Sequence, residues 1–139
     1  MIYYDYLPSS LNSTTGLRNT TAVDFTNPLN VGWIGPSITP LSGNNAGWRV
    51  YQVDSKTFSV VGAQTYWANV SASNSWTSAE WEFEYDTRAL YDPQSKWGVH
   101  DPLNATFWHN LTTQMLNNIT LVETYNFLET KVLFLGLRE

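Results

Sequence analysis

The sequence contains no cysteine. That excludes a disulfide framework and any thiolate metal site, and it leaves the redox compartment open. Basic residues are scarce too. Seven Lys and Arg are scattered among 139 residues against twelve Asp and Glu, giving a net charge of −5. No basic stripe forms, so no nucleic-acid partner is expected. Long apolar runs are missing. Stretches such as Val132 to Leu135 fall far short of the roughly 18 residues that mark a membrane span. No transmembrane segment is expected. The opening residues Met1-Ile2-Tyr3-Tyr4-Asp5-Tyr6 carry neither a positive n-region nor a long apolar stretch, so they do not read as a signal peptide.

What the chain does have is aromatic mass and glycosylation sequons. Aromatic residues reach 15%, with seven Trp and eight Tyr, while charged residues stop at 14%, below the usual quarter or so. An apolar share of 42% over one domain's length suffices to build a core. Asn-x-Ser/Thr occurs at Asn12, Asn19, Asn69, Asn104, Asn110 and Asn118, more often than this composition would give by chance. Such a surface is suited to carry sugar in the secretory pathway. Asn-, Ser- and Thr-rich loops are the plain alternative.

The pattern along the chain is strands first and helices after. Residues 1–6 are aromatic and β-favouring. Residues 8–30 are rich in Ser, Thr and Asn and predict a long polar loop or the tip of a hairpin. Residues 48–53 alternate, with Trp48, Val50 and Gln52 on one face and Arg49, Tyr51 and Val53 on the other. Asp54-Ser55-Lys56 turns the chain, and residues 57–70 return as a second strand. From Ala79 the spacing of Trp81, Tyr85 and Ala89 predicts a helix, stopped at Asp92-Pro93. Asp101-Pro102 then reads as N-cap and N1 of another helix, whose stripe is Leu103, Phe107, Leu111 and Met115. After Asn117-Asn118 comes a last helix from Ile119 to about Lys131. The fold class is therefore α+β, with boundaries at 1–70 for the strands and 71–139 for a helical subdomain.

The inventory for catalysis is poor. His100 and His109 are nine residues apart and belong to no clustered ligand motif. His109, beside Trp108, reads as a partly buried, hydrogen-bonded residue, and His100 as a loop residue. Glu80, Glu82, Glu84 and Asp86 form an acidic run that helical spacing would spread around the axis as a solvated face. No Gly-x-Ser-x-Gly elbow or phosphate-binding loop is present. The seven tryptophans fit a core better than a sugar-stacking platform. No residue of this chain is assigned a catalytic, cofactor-binding or metal-binding role.

Five motifs, in order from about residue 30 to 131, resemble the acid sphingomyelinase family, fungal type, in its C-terminal region. They are Gly35-Pro36-Ser37-Ile38-Thr39 with Asn45-Ala46-Gly47-Trp48-Arg49-Val50-Tyr51-Gln52-Val53-Asp54; Thr65-Tyr66-Trp67-Ala68-Asn69-Val70-Ser71; Trp81 with Tyr85 and Ala89-Leu90-Tyr91; Phe107-Trp108-His109-Asn110-Leu111 with Met115; and Glu123-Thr124-Tyr125-Asn126-Phe127-Leu128. Leu41 stands where the family often has an aromatic residue, and Ala46 replaces its usual proline. The tail Val132 to Glu139 does not look like the family's Cys-bearing end.

The resemblance implies a secreted, extracellular or vacuolar-lysosomal metallophosphoesterase, a phosphoric diester hydrolase acting through two zinc ions on a sphingolipid or phospholipid. It also implies that the turn after Ser37 approaches the substrate cleft. The family's Asp-x-His, Gly-Asp-x-x-Asp, Gly-Asn-His-Glu and Gly-His-x-His ligand motifs are absent from this sequence. The chain is therefore expected to be a C-terminal fragment that is inactive alone, its strands lying at the edge of the phosphoesterase sheet and its partner the upstream catalytic domain. A stand-alone secreted module that binds sugars or lipids through Trp and Tyr is the competing expectation.

Overall fold

The structure, a computed structural model, describes residues 1–6, 14–15, 23–39 and 44–130. Strand β1 (Ile2–Tyr6) pairs antiparallel with β2 (Val23–Val31) in a two-stranded sheet. Strands β3 (Ala46–Val53), β4 (Val60–Ala68) and β5 (Glu82–Asp86) form a second, antiparallel sheet in the order β3-β4-β5. A 3-10 turn at Val70–Ser75 separates β4 from β5. Helices α1 (Thr87–Tyr91), α2 (Ala105–Met115) and α3 (Ile119–Thr130) follow. The α+β expectation is met.

The β3–β4 hairpin forms as its alternation predicts, and its turn is held by one carboxylate. Asp54 Oδ1 accepts from the backbone N–H groups of Lys56 and Thr57 and from the Thr57 hydroxyl. Those bonds hold the Asp54 carboxyl below its usual pKa, the Thr57 N–H contributing most. Phe58 closes the turn at φ 57, in the left-handed region, where its side chain is 81% exposed and meets no packing constraint.

Three elements differ from expectation, each for a local reason. Residues 23–31 form a strand within the stretch 8–30 expected to be a polar loop or the tip of a hairpin, and this strand is the returning arm of a hairpin with β1. The ladder pairs Tyr4 with Pro28 and then Asp5 with Asp24, so residues 25–27 bulge out. Asp24 Oδ1 secures that bulge by accepting from the Thr26 N–H at 2.9 Å and its hydroxyl at 2.6 Å. Pro28 is tolerated because β2 pairs on one side only among the described residues.

The second difference is β5. Residues 82–86 are a strand, not part of a helix, and α1 is confined to residues 87–91. Aromatic and acidic residues alternate through Trp81-Glu82-Phe83-Glu84-Tyr85-Asp86, which is a period of two. The four-residue spacing of Trp81, Tyr85 and Ala89 is a coincidence of that alternation with the start of α1. Asp86 ends the strand and caps the helix, accepting from the N–H groups of Arg88 and Ala89.

Third, α2 starts later than the Asp101-Pro102 signal. Its N-cap is Asn104, whose Oδ1 accepts from the Phe107 N–H at 3.1 Å. The preceding residues are committed elsewhere: the Leu103 N–H donates to the Val60 carbonyl, and the Pro102 carbonyl accepts from Trp97 Nε1.

The core gathers Tyr91, Leu103, Phe107 and Leu111, with Trp33, Trp97 and Trp108 packed around them. Three of these lie on the predicted α2 stripe, Leu103 just before the helix and Phe107 and Leu111 within it. Edge-on aromatic contacts carry the packing outward. Trp108 meets Trp33 at 5.4 Å, Tyr91 at 5.8 Å and Phe107 at 5.3 Å between ring centroids. Helix α2 also seats the β1–β2 sheet, where the Tyr4 hydroxyl and His109 Nδ1 are 3.2 Å apart. Leu103 is 1% exposed, so Leu103→Ala should lower unfolding free energy by about 2–5 kcal/mol. Leu116→Ala, at a side chain 82% exposed, should change it by less than about 0.5 kcal/mol. Urea denaturation of the three proteins checks both.

Candidate functional site

Arg49 is the one charged residue in the alternating segment Trp48 to Val53, and it points to the core side of the sheet. It stands opposite Thr65 on β4, and Thr65 stands opposite Tyr85 on β5. The guanidinium uses this row directly. Nε donates to Thr65 Oγ1 at 2.9 Å, and Nη2 donates to the Tyr85 hydroxyl at 2.7 Å. The guanidinium carbon lies 5.8 Å from the Tyr85 ring centroid, within cation–π range. Nη1 approaches the Ile34 carbonyl at 3.4 Å, which links the sheet to the segment after β2.

That segment is seated by the lack of a side chain at Gly47. The Gly47 N–H donates to the Ser37 carbonyl at 2.9 Å. A Cβ at residue 47 would fall 3.0 Å from Pro36 Cβ and 3.2 Å from the Tyr66 carbonyl oxygen, so a side chain here would push one of them back by a few tenths of an ångström. Neighbouring Asn45 is buried and accepts from the Val70 N–H at 3.0 Å, fixing the start of the 3-10 turn. Between these parts lies a cleft of about 240 Å³, bordered by Ser37, Thr39, Asn45, Arg49, Leu128 and Glu129. Hydroxyls, an amide and a guanidinium beside the Glu129 carboxylate suit a polar group that can both donate and accept. Among the described residues that border it, no hydrogen bond pairs a nucleophile with a base. The Ser37 hydroxyl donates to the Thr39 carbonyl at 3.0 Å. Leu41 lies outside the described residues.

The residues singled out by sequence are dispersed. His109 is half-buried against Tyr4, as its helical setting predicts, and His100 is exposed in the loop before α2. Glu82 and Asp86 are on a strand, with Asp86 serving as a cap. Among the described residues, no group of three or more His, Cys, Asp or Glu side chains could hold a metal ion. The two zinc ions implied by the family resemblance therefore have no fitting donor set here. Arg49 and Tyr85 were read from the sequence as members of a strand face and a helix stripe, with no site role. The available signal was a lone arginine inside an alternating apolar strand.

The tryptophans divide between two faces. Trp33, Trp97 and Trp108 pack against the core. Trp48 stacks on Tyr66 at 4.5 Å on the opposite face of the sheet, where Trp81 and Phe83 meet them edge-on.

Four of the sequon asparagines lie among the described residues; Asn12 and Asn19 do not. Asn69, Asn104 and Asn118 each cap a helical turn through Oδ1, accepting from the N–H groups of Ser71, Phe107 and Leu121. A sugar attaches through Nδ2, so these caps and a glycan are compatible. Asn110 is exposed on α2. Among the described residues, no helix is long and apolar enough to cross a membrane.

Comparison with known proteins gives consistent relatives. The chain is 33% identical over 109 residues to a human sphingomyelin phosphodiesterase, an alignment covering 75% of the chain and 16% of the relative. It is 32% identical over 108 residues to sphingomyelin phosphodiesterase 2 of Caenorhabditis elegans, covering 70% of the chain and 16% of that protein. It is 29% identical over 98 residues to sphingomyelin phosphodiesterase A of Dictyostelium discoideum, again covering 70% and 16%. The chain thus spans about 16% of the length of these curated relatives. No family model matches it. The relatives support an acid sphingomyelinase-like family.

The tyrosines beside the Arg49 row set an alkaline limit on the fold. Burial pushes the Tyr91 phenol well above its usual pKa, and nearby Tyr85 and Tyr125 add to the rise. Burial likewise raises Tyr125, with Glu129 adding to it. An unfolded tyrosine ionises near about pH 10, while these resist. Their contribution to stability is full below that pH and is lost as pH rises towards the folded-state values. Tyr91→Phe should therefore show a smaller loss of stability between about pH 9 and about pH 11 than the parent chain, read from urea midpoints at the two pH values.

Proposed function

We propose that this chain is the C-terminal portion of a secreted, acid sphingomyelinase-like metallophosphoesterase, supporting the catalytic domain and one wall of its substrate cleft without being catalytic alone. The observation that carries this reading is the pairing of two facts. Some 100 residues align at 29–33% identity with sphingomyelin phosphodiesterases while spanning only 16% of their length. The described residues of the same chain bring together no metal donor set. A two-metal phosphodiester hydrolysis requires ligands that hold both ions and polarise the attacking water. In this reading the ligands belong to the upstream catalytic domain.

Residues 1–70 then complete the phosphoesterase sheet, and residues 71–139 form the helical subdomain behind it, returning β5 to pair with β4. Exposed apolar side chains support docking to a larger body. Phe25, Leu29 and Phe83 are all more than half exposed, although large apolar surfaces are normally covered. The cleft beside Ser37 and Arg49 suits the phosphorylated head group of a sphingolipid or phospholipid. The sequons support a secretory route, to the extracellular space or the vacuolar-lysosomal lumen. The fungal-type assignment rests on the motif resemblance alone.

Sphingomyelin hydrolysis tests the proposal. The 139-residue chain by itself should release no phosphocholine at any zinc concentration. The protein encoded when the upstream reading frame is joined to it should do so and should lose activity with chelator. Turnover by the short chain, or inactivity of the joined protein, overturns the reading.

A further inference from the structure

A second groove lies between helix α2 and the loop after α1. It has a volume of about 400 Å³, within the roughly 300–1,000 Å³ range of small-molecule sites. One wall is helix α2, which contributes Phe107, Asn110 and Gln114 at helical spacing. The other wall is the loop after α1, with Pro93, Gln94 and Trp97. That loop is firmly tied. Asp92 accepts from the N–H groups of Lys96 and Trp97, and Trp97 Nε1 donates to the Pro102 carbonyl at 3.0 Å. The indole also packs edge-on against Phe107 at 5.7 Å.

Asn110 distinguishes this groove from the Arg49 cleft. It is the asparagine of an Asn-Leu-Thr sequon, it is exposed, and it lines the groove itself. Unlike Asn69, Asn104 and Asn118, it lies within a helix and caps none. A sugar on its Nδ2 starts at the mouth of a concavity that offers an indole, a proline ring and two carboxamides. That set matches an N-acetylhexosamine, which has an apolar ring face, hydroxyls and an acetamido group.

We propose that the groove between α2 and the loop after α1 is an intramolecular seat for the N-linked glycan of Asn110, whose first N-acetylglucosamine packs against Trp97. The seat covers half-buried Trp97 and the outer edge of Phe107, so the glycan acts as part of the fold instead of a projecting ornament. This inference rests on the secretory reading given above.

The test is secretion of the full chain from a eukaryotic host behind an added leader, followed by site-resolved mass spectrometry and timed release with a glycan-cleaving amidase. Asn110 should be occupied. In the folded protein its glycan should be released about tenfold more slowly than that of Asn118, a difference that denaturation abolishes. Trp97→Ala should abolish the difference. Trp97→Phe, which keeps a ring against Phe107, should retain part of it if the alanine variant is not secreted. Equal release from Asn110 and Asn118 in the folded chain overturns the seat. So does an empty Asn110 beside occupied Asn69 and Asn118, which leaves the secretory reading intact. A secreted chain bare at every sequon overturns both.

Discussion

One guanidinium ties the three strands of the larger sheet to one another and reaches on to the segment after β2. Arg49 lies in a row with Thr65 and Tyr85, one residue from each strand, and bonds to both. Its third nitrogen reaches the Ile34 carbonyl and the segment that borders the cleft. A half-buried cation is costly unless its donors are used, so the arrangement is an all-or-nothing one. Removing Tyr85 or Thr65 would strand part of the guanidinium, and removing Arg49 would leave their hydroxyls facing each other without a donor fork.

The row exists because of one irregularity. The pairing of β4 with β5 shifts between Thr65 and Tyr66, so Phe83 faces Tyr66 while Tyr85 faces Thr65. Without the bulge, Phe83 and Tyr85 would share a face, and both would sit on the Trp48–Tyr66 side. The extra residue, Glu84, turns Tyr85 inward to Arg49 and towards Tyr91, whose ring lies 6.3 Å away. The bulge thus connects strand register to core packing. Arg88 repeats the device lower down, its guanidinium bonding to the carbonyls of Val61, Gly98 and Asp101 and clamping the loop before α2 onto β4.

What was legible in the sequence follows the same logic. Alternation in residues 48–53 and the four-residue stripe from Leu103 to Met115 are decided by burial on one face, and both appeared as read. Residues 82–86 were misread because three aromatics at period two run directly into a short helix, and the combined spacing imitates a longer one. Residues 23–31 look like a loop because their strand is an edge with a three-residue bulge, held by Asp24 instead of by apolar burial. The Arg49 cleft was the least legible feature. Its members come from the segment after β2, from β3 and from α3, and only tertiary structure brings Ser37, Arg49 and Leu128 together.

In the proposed reading, position in the fold lets this segment shape a reaction whose metal ligands lie in another domain. The cleft wall is held by contacts that reach beyond the cleft. Gly47 lets Pro36 approach, Asn45 fixes the turn after β4, and Arg49 ties three strands. A group placed against Ser37 and Thr39 is therefore positioned by the sheet instead of by a mobile loop tip. Orientation of a reactant contributes to rate even when the reacting atoms are handled elsewhere. In the proposed reading, substitutions at Gly47 or Arg49 act by displacing the cleft wall. In that reading the chemistry belongs to metal ligands of the catalytic domain, and walls of this kind contribute to selectivity.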